Sequence, residues 1–320
     1  MVDVSIVVAI YNAEDYIDKC LDMLTAQTLT NIEIICVNDG STDSSLERLL
    51  SYSDKEQRIK VISQDNAGAG AARNRGMKEA IGKYIVFLDC DDFFEPDMLR
   101  CAFDKAEKES SDIVIYKSDQ YNMNSGQYTY EQWAMIEWAL PPYEPFTYRQ
   151  ISTNIFRAFV GWAWDKLYLR EFVVKNNLKF QEQRTTNDAL FVFSALVLAD
   201  RISTVKKVLI HRRVDTTASL SKTREKSWDN FYKMLLSLRE FLREHGRWQE
   251  LCKDYVNYAL HFSLWNYNTL AEPTKTKLRH ALVTEWFDEL GVTEKPKEYF
   301  YDEYEYSQYK DMLKLEKSDI

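Results

Sequence analysis

Tyr84-Ile85-Val86-Phe87-Leu88-Asp89-Cys90-Asp91-Asp92 is the stretch on which the fold turns. Five consecutive apolar residues predict a strand buried on both faces, as in a parallel sheet covered by helices. The abrupt change to carboxylates puts acidic groups at the strand's carboxyl end, where open α/β sheets hold their ligands. The same alternation extends toward the N-terminus. Val4 to Ile10 is a largely apolar strand, and Ile17, Cys20, Leu21 and Leu24 follow at helical spacing. Glu33 to Val37 is a second strand ending in Asn38-Asp39-Gly40-Ser41-Thr42-Asp43, and Leu46, Leu49 and Leu50 mark a second helix. Arg58 to Ser63 is a third strand, and Gly68 to Ile81 a helix leading back to Tyr84.

Toward the C-terminus the pattern loosens. A helix is expected from Phe93 with Pro96 in its first turn, then a fifth strand at Asp112 to Tyr116. Ser118 to Pro145 is polar and aromatic; Trp162 to Arg170, a helix at Asp188 to Ala199 and a strand near Ile202 to Ile210 follow. From about Ser221 only helical periodicity remains, with Trp228, Phe231, Tyr232, Leu235, Leu236 and Leu242 on one face. The expected fold is therefore α/β, a mostly parallel sheet flanked by helices over residues 1–220, followed by an α-helical C-terminal subdomain over 221–320.

Composition narrows the partners. The 320 residues carry 41 Lys and Arg against 50 Asp and Glu, a net charge of −9 that argues against nucleic acid as a partner. Only 9 Gly and 6 Pro exclude collagen-like and low-complexity classes. Five cysteines without a Cys-x-x-Cys pair disfavour a disulfide framework and a structural zinc site, and fit a reducing compartment. No basic segment precedes Val4, so a signal peptide is not expected. The longest apolar run, Ala189 to Ala199, falls short of the roughly 20 residues that span a bilayer. A cytoplasmic location follows, with peripheral association at the inner face of the membrane left open, as is the oligomeric state.

Three polar clusters sit at strand ends. Carboxylates packed as closely as Asp89, Asp91 and Asp92 call for a compensating cation, and hard oxygen donors suit Mn²⁺ or Mg²⁺; the competing reading makes two of them helix caps. In the Asn38 to Asp43 turn, Asp39 is placed to accept a base N–H, or simply to shape an Asx turn. Asn66 through Asn74 opens a helix with small residues and then Arg73, a start that favours anions. Cys90 reads as a bystander facing the core.

Together and in this order these elements resemble the family 2 glycosyltransferases, nucleotide-sugar-dependent enzymes of GT-A fold, of the bacterial polysaccharide-synthesis type. The residues that carry the resemblance are Val4 to Asn12, Asn38 to Asp43, Asn66 to Asn74 and Phe87 to Asp92 with Pro96, and more weakly Trp164 to Tyr168, Asn187 to Phe191, and Arg213 with Ser219-Leu220-Ser221. It implies that Ala9, Tyr11, Asn12, Asp39, Arg73, Asp89, Asp91 and Arg213 contact the nucleotide-sugar and that Asp91 holds the metal. Asp188 then resembles the general base, its rival role being the N-cap of the following helix, while Asn187 stands where the family has Glu. Asp92, Trp162 and Trp164 are candidates for the acceptor site. Lys166, His211, Arg212 and Arg213 are candidates for a basic wall facing the diphosphate.

The function expected from the resemblance is an inverting, metal-dependent transfer of a hexose or N-acetylhexosamine from a UDP-sugar donor to a hydroxyl of a glycan or lipid-linked glycan. A noncatalytic sugar-nucleotide-binding module and a sugar-nucleotide nucleotidyltransferase remain as alternatives. The nucleotidyltransferase needs a Gly-rich triphosphate loop near its first strand, and Ala9-Ile10-Tyr11-Asn12 is not one.

Overall fold

The computed structural model describes residues 2–214, 220–293 and 295–318. Contacts divide the chain into two compact units, Met1–Ser152 with Ala158–Thr217, and Thr153–Arg157 with Ala218–Ile320.

The first unit is built on one sheet. Strands β1 (Val4–Ile10), β2 (Ile32–Asp39), β3 (Ile59–Gln64) and β4 (Tyr84–Asp89) run parallel in the order β3-β2-β1-β4. They are joined by helices α1 (Ile17–Thr25), α2 (Ser45–Ser53) and α3 (Ala69–Glu79), and α3 packs on β1 and β2. Beyond β4 the sheet becomes mixed, because β8 (Lys166–Leu169) inserts antiparallel between β4 and β6 (Ile113–Asn122). The long β9 (Ile202–Val214) lies parallel to β6, and the short β7 (Tyr128–Tyr130) pairs with β6 as a hairpin. Helices α4 (Met98–Glu109), α6 (Arg170–Lys175) and α7 (Ala189–Leu198) belong to this unit, and the division between the units falls inside the short α5 (Ile155–Ala158), after Arg157. The core fills with the apolar residues of β1, β2 and β4 and the inward faces of α1 and α4.

The helix expected from Phe93 starts five residues later, at Met98. Phe93 and Phe94 instead form a two-residue strand, β5, opposite His211 and Ile210 of β9. The partner strand lies more than a hundred residues away, so local periodicity carries no sign of it.

The second unit is helical: α8 (Asn230–Glu244), α9 (Trp248–Thr269), α10 (Thr274–Ala281), α11 (Phe287–Glu289) and α12 (Glu303–Ser318). Aromatic residues fill it. Trp286 stacks on Tyr232 with ring centroids 4.0 Å apart and on Trp228 at 5.1 Å, and buried Tyr255 donates to the Leu235 carbonyl at 3.0 Å. Among the described residues no helix is long and apolar enough to cross a membrane.

Candidate active site

Parallel pairing brings three strand ends to one edge. Ala9 of β1 lies between Val37 of β2 and Asp89 of β4, so the residues that follow each strand emerge side by side. Ala9 itself is a half-buried strand residue. Tyr11 is 52% exposed and open to a ligand. Asn12 takes the left-handed conformation (φ 48°), which Asn tolerates better than most residues. Its Oδ1 accepts the Thr42 N–H at 2.8 Å, and its own N–H donates to Ser41 Oγ at 3.0 Å. The loop after β1 is thereby sewn to the loop after β2.

Asp39, at the end of β2, is buried and organises the neighbouring loop. Its Oδ1 accepts from Gln64 Nε2 at 2.8 Å and Ala67 N–H at 2.9 Å, and its Oδ2 from Gly68 N–H at 2.8 Å. The adjoining Gly40 is required here: its φ is +70°, and a Cβ would lie 2.7 Å from the Asn66 nitrogen. The helix start expected to attract a ligand anion is thus served by the protein's own carboxylate. A carboxylate offers about four lone-pair positions. Three are taken, and one on Oδ2 remains.

Helix α3 carries Arg73 beneath the end of β4. Arg73 is buried, donates from Nη2 to Asp89 Oδ1 at 2.6 Å and from Nη1 to Asn187 Oδ1 at 2.9 Å, and does not touch Asp39. Burial works against its charge, but Asp89 and Asp188 outweigh it and hold the guanidinium above its ordinary value. The same helix grips the segment that delivers Asn187 and Asp188. Asn74 donates to the Phe180 carbonyl at 3.0 Å and accepts its N–H at 2.9 Å. Gly70 lets the Gln181 carbonyl pass, since a Cβ there would lie 2.0 Å from that oxygen. Asn187, a neutral acceptor where the resembled family has a carboxylate, leaves the charge of Arg73 to Asp89 and Asp188.

Asp188 occupies the N-cap position of α7, yet its side chain makes no capping hydrogen bond. The residue as a whole is half-buried. Burial pushes its pKa above the ordinary carboxylate range, with Arg73 opposing. A carboxylate spent on no helix cap and with a raised pKa is suited to taking a proton.

The acidic turn sorts its members by direction. Asp89 is one-third exposed beside Arg73, and Cys90 joins the hydrophobic core. Asp92 is only 4% exposed, and its Oδ1 accepts the Arg213 N–H at 3.0 Å, so it anchors β9 rather than facing an acceptor. Burial and then Asp89 raise the pKa of Asp91, with Arg213 opposing. Arg213 donates from Nε to the Asp91 carbonyl, and its guanidinium lies 4.2 Å from the Tyr16 ring centroid and 5.0 Å from that of Phe93. Among the described residues no three His, Cys, Asp or Glu side chains converge into a ready metal cage. The hard oxygen donors of Asp91 and Asp89 are of the type that suits Mn²⁺ or Mg²⁺.

The basic wall is only partly assembled. Lys166 is fully buried, because β8 is an interior strand, and it donates to the Val160 carbonyl at 3.0 Å, the Trp162 carbonyl at 2.8 Å and Asp165. His211 is held between Glu95 at 2.9 Å and Asp119 at 2.6 Å. Arg212 pairs with Glu131 at 2.9 Å and sits over the Trp162 ring. Of the four, Arg213 hydrogen-bonds to the acidic turn, while Arg212 acts on Asp91 and Asp92 through its charge. Trp164 is a core residue stacked on Trp162. Ser219 lies outside the described residues.

Sequence reasoning passed over Gln64, Tyr16, Glu131 and Trp133, each defined by a partner far away in the chain. Gln64, the residue that ends β3 opposite Asp39, was the one within reach, since parallel register pairs those two positions.

Comparison with known proteins shows the family and the fold. Residues 5–172 match the model of glycosyl transferase family 2. Two proteins of Bacillus subtilis strain 168, both named as glycosyltransferases, are similar. EpsH is 34% identical over 270 residues, 82% of this chain and 75% of that protein. EpsJ is 38% identical over 200 residues, 62% of this chain and 57% of that protein. Among solved structures, residues 1–349 of S. aureus TarS in complex with UDP-GlcNAc superpose with a TM-score of 0.68 at 21% identity, over 91% of this chain and 83% of that one.

Proposed function

The chain belongs to glycosyl transferase family 2, and from that premise we propose that it is an inverting transferase that moves a hexose or N-acetylhexosamine from a UDP-sugar to a hydroxyl of a glycan or lipid-linked glycan. The TarS complex with UDP-GlcNAc supports a UDP-sugar as donor. Residues 1–220 bind the donor and perform the transfer, and 221–320 form an accessory helical subdomain. The protein works on the cytoplasmic side.

One observation carries the mechanism: Asp188 stands at a helix start with its carboxylate spent on no cap. It accepts the proton of the acceptor hydroxyl as that oxygen attacks the anomeric carbon. The new carbon–oxygen bond forms on the face opposite the departing UDP, the old one breaks, its electron pair leaves on the diphosphate, and the configuration inverts. Tyr11 flanks the uracil, and the remaining lone pair of Asp39 Oδ2 accepts its imide N–H. Arg73 orients Asp89 and, through Asn187, the segment leading to Asp188. Asp91, with Asp89 beside it, would hold Mn²⁺ or Mg²⁺, which would offset the negative charge of the diphosphate. Arg213 adds a fixed positive charge on the same side.

Nuclear magnetic resonance of the product tests the reading. An α-configured UDP-sugar should yield a β-linked product together with free UDP. An α-linked product would remove inversion and the role of Asp188 with it. UDP binding without release of UDP in the presence of any acceptor would favour the noncatalytic module.

A further inference from the structure

Three indoles form a row in the first unit. Trp164, buried, stacks on Trp162 with centroids 4.6 Å apart and planes 21° apart, which closes one face of Trp162. Rings that close leave no space for a guanidinium between them. Arg212, whose Cζ lies 5.0 Å from the Trp162 centroid, therefore covers the other face. Trp133 meets Trp162 at 5.1 Å with planes 70° apart and keeps 53% of its surface exposed. Of the three, only Trp133 offers a broad apolar surface to a ligand, so neither Trp162 nor Trp164 serves as the stacking residue expected from sequence.

The row is anchored to both halves of the reacting centre. On one side, Gly161 packs on the residue after Asp188: a Cβ at Gly161 would lie 3.1 Å from Ala189 Cβ. The carbonyls of Val160 and Trp162 are fixed by buried Lys166. On the other side, Arg212 precedes Arg213, which donates to the Asp91 carbonyl. Buried Glu131, two residues before Trp133, accepts from Arg212 at 2.9 Å and from Gln120. Trp133 is thus held on a braced support, joined through Trp162 and Gly161 to the start of α7 and, through the neighbouring Glu131 and Arg212, to the end of β9.

Taking the transferase reading as given, the geometry points to Trp133 as the acceptor platform: its exposed indole carries a sugar ring of the acceptor, so the acceptor is a carbohydrate at the point of docking. The polarised C–H groups on one face of a pyranose settle on the electron-rich face of the indole, as edge-to-face partners do. The hydroxyls at the ring's rim remain free for Asp188 and water.

Saturation-transfer difference spectroscopy on the full chain with UDP tests this. The probes are the methyl β-glycosides of glucose, galactose, mannose, N-acetylglucosamine and N-acetylgalactosamine. At least one should receive saturation on the C–H protons of one ring face. Trp133→Ala should lower that signal at least tenfold while UDP binds as before. Trp138→Ala removes an indole that is 77% exposed on the same segment but outside the row, and it should leave the signal intact. Silence across the panel overturns the inference, as does an undiminished signal in Trp133→Ala or an equal loss in Trp138→Ala. Failure of the wild-type protein to bind UDP would instead overturn the transferase reading beneath it.

Discussion

Arg73 Nη2 donates to Asp89 Oδ1 across 2.6 Å, joining the helix after β3 to the end of β4. Through its second donor to Asn187 the same guanidinium fixes the segment that delivers Asp188. The two acceptors sit on different guanidinium nitrogens, a span that the planar fork covers and a single ammonium nitrogen on a shorter side chain does not. Arg73→Lys should therefore cost about 1–3 kcal/mol of stability, the worth of a lost hydrogen bond to a charged group. Turnover should fall more than UDP affinity. Urea denaturation with parallel kinetics checks this, and equal losses in both would place Arg73 on the nucleotide instead.

Asp188→Asn should reduce transfer by about 10² or more with UDP binding unchanged. No capping bond is lost, so stability should not suffer. The sign of the pH dependence follows from the raised carboxyl. A folded-state pKa above the unfolded value of about 3.9 contributes stability that is full below that value and is lost as pH rises through the folded one. The Asn variant lacks this loss, so its melting temperature should equal or exceed wild type at pH 8 and the gap should close in acid. In the wild-type enzyme kcat/KM should rise with pH through the same raised value.

Asp39→Asn converts a triple acceptor into a group with one oxygen and one amide. The Ala67 and Gly68 N–H groups cannot both be satisfied by it. A loss of about 1–3 kcal/mol in folding stability is expected together with weaker UDP binding. Calorimetric titration and thermal melting separate the two effects; a stable variant with normal UDP affinity would remove Asp39 from both roles.

Mn²⁺ should tighten UDP binding to the wild-type protein by about tenfold or more, equivalent to about 1.4 kcal/mol. In Asp91→Asn, or after chelation, that enhancement should vanish. Identical titrations of variant and wild type with and without Mn²⁺ would assign the cation elsewhere.

Lys166→Met leaves Asp165 buried without its cation. Burial already pushes Asp165 up to about 6 against the pull of Lys166. The expected destabilisation is about 3–5 kcal/mol, and adding Asp165→Leu should recover part of it. A double variant as unstable as the single would show that the bonds to the Val160 and Trp162 carbonyls matter more than the charge.

The first four strands were legible because each is a short apolar run between turn residues: β1 spans Val4–Ile10 as read, and β4 begins at Tyr84. Their carboxyl ends put Tyr11, Asp39, Asp89 and Asp91 on one edge for the same local reason. The helix expected at Phe93 gave way to β5 because pairing with β9 outweighed local periodicity. In sequence Lys166 reads as part of a basic wall facing the diphosphate. The antiparallel insertion of β8 between β4 and β6 put it in the interior.

What the sequence by itself determined is what hydrophobic periodicity and strand-end chemistry encode: alternating strands and helices, an acidic turn after β4, and a carboxylate opening the helix at Ala189. Only the tertiary structure decided what each polar group spends its hydrogen bonds on. Asp39 turned to the loop of Gln64 and Gly68, Asp92 to Arg213, Arg73 to Asp89 and Asn187, and Asp188 to no cap. A buried donor or acceptor must be paired, and its partner is chosen by proximity in space rather than along the chain. Residues as alike in sequence as Asp91 and Asp92 therefore part company once the sheet closes around them.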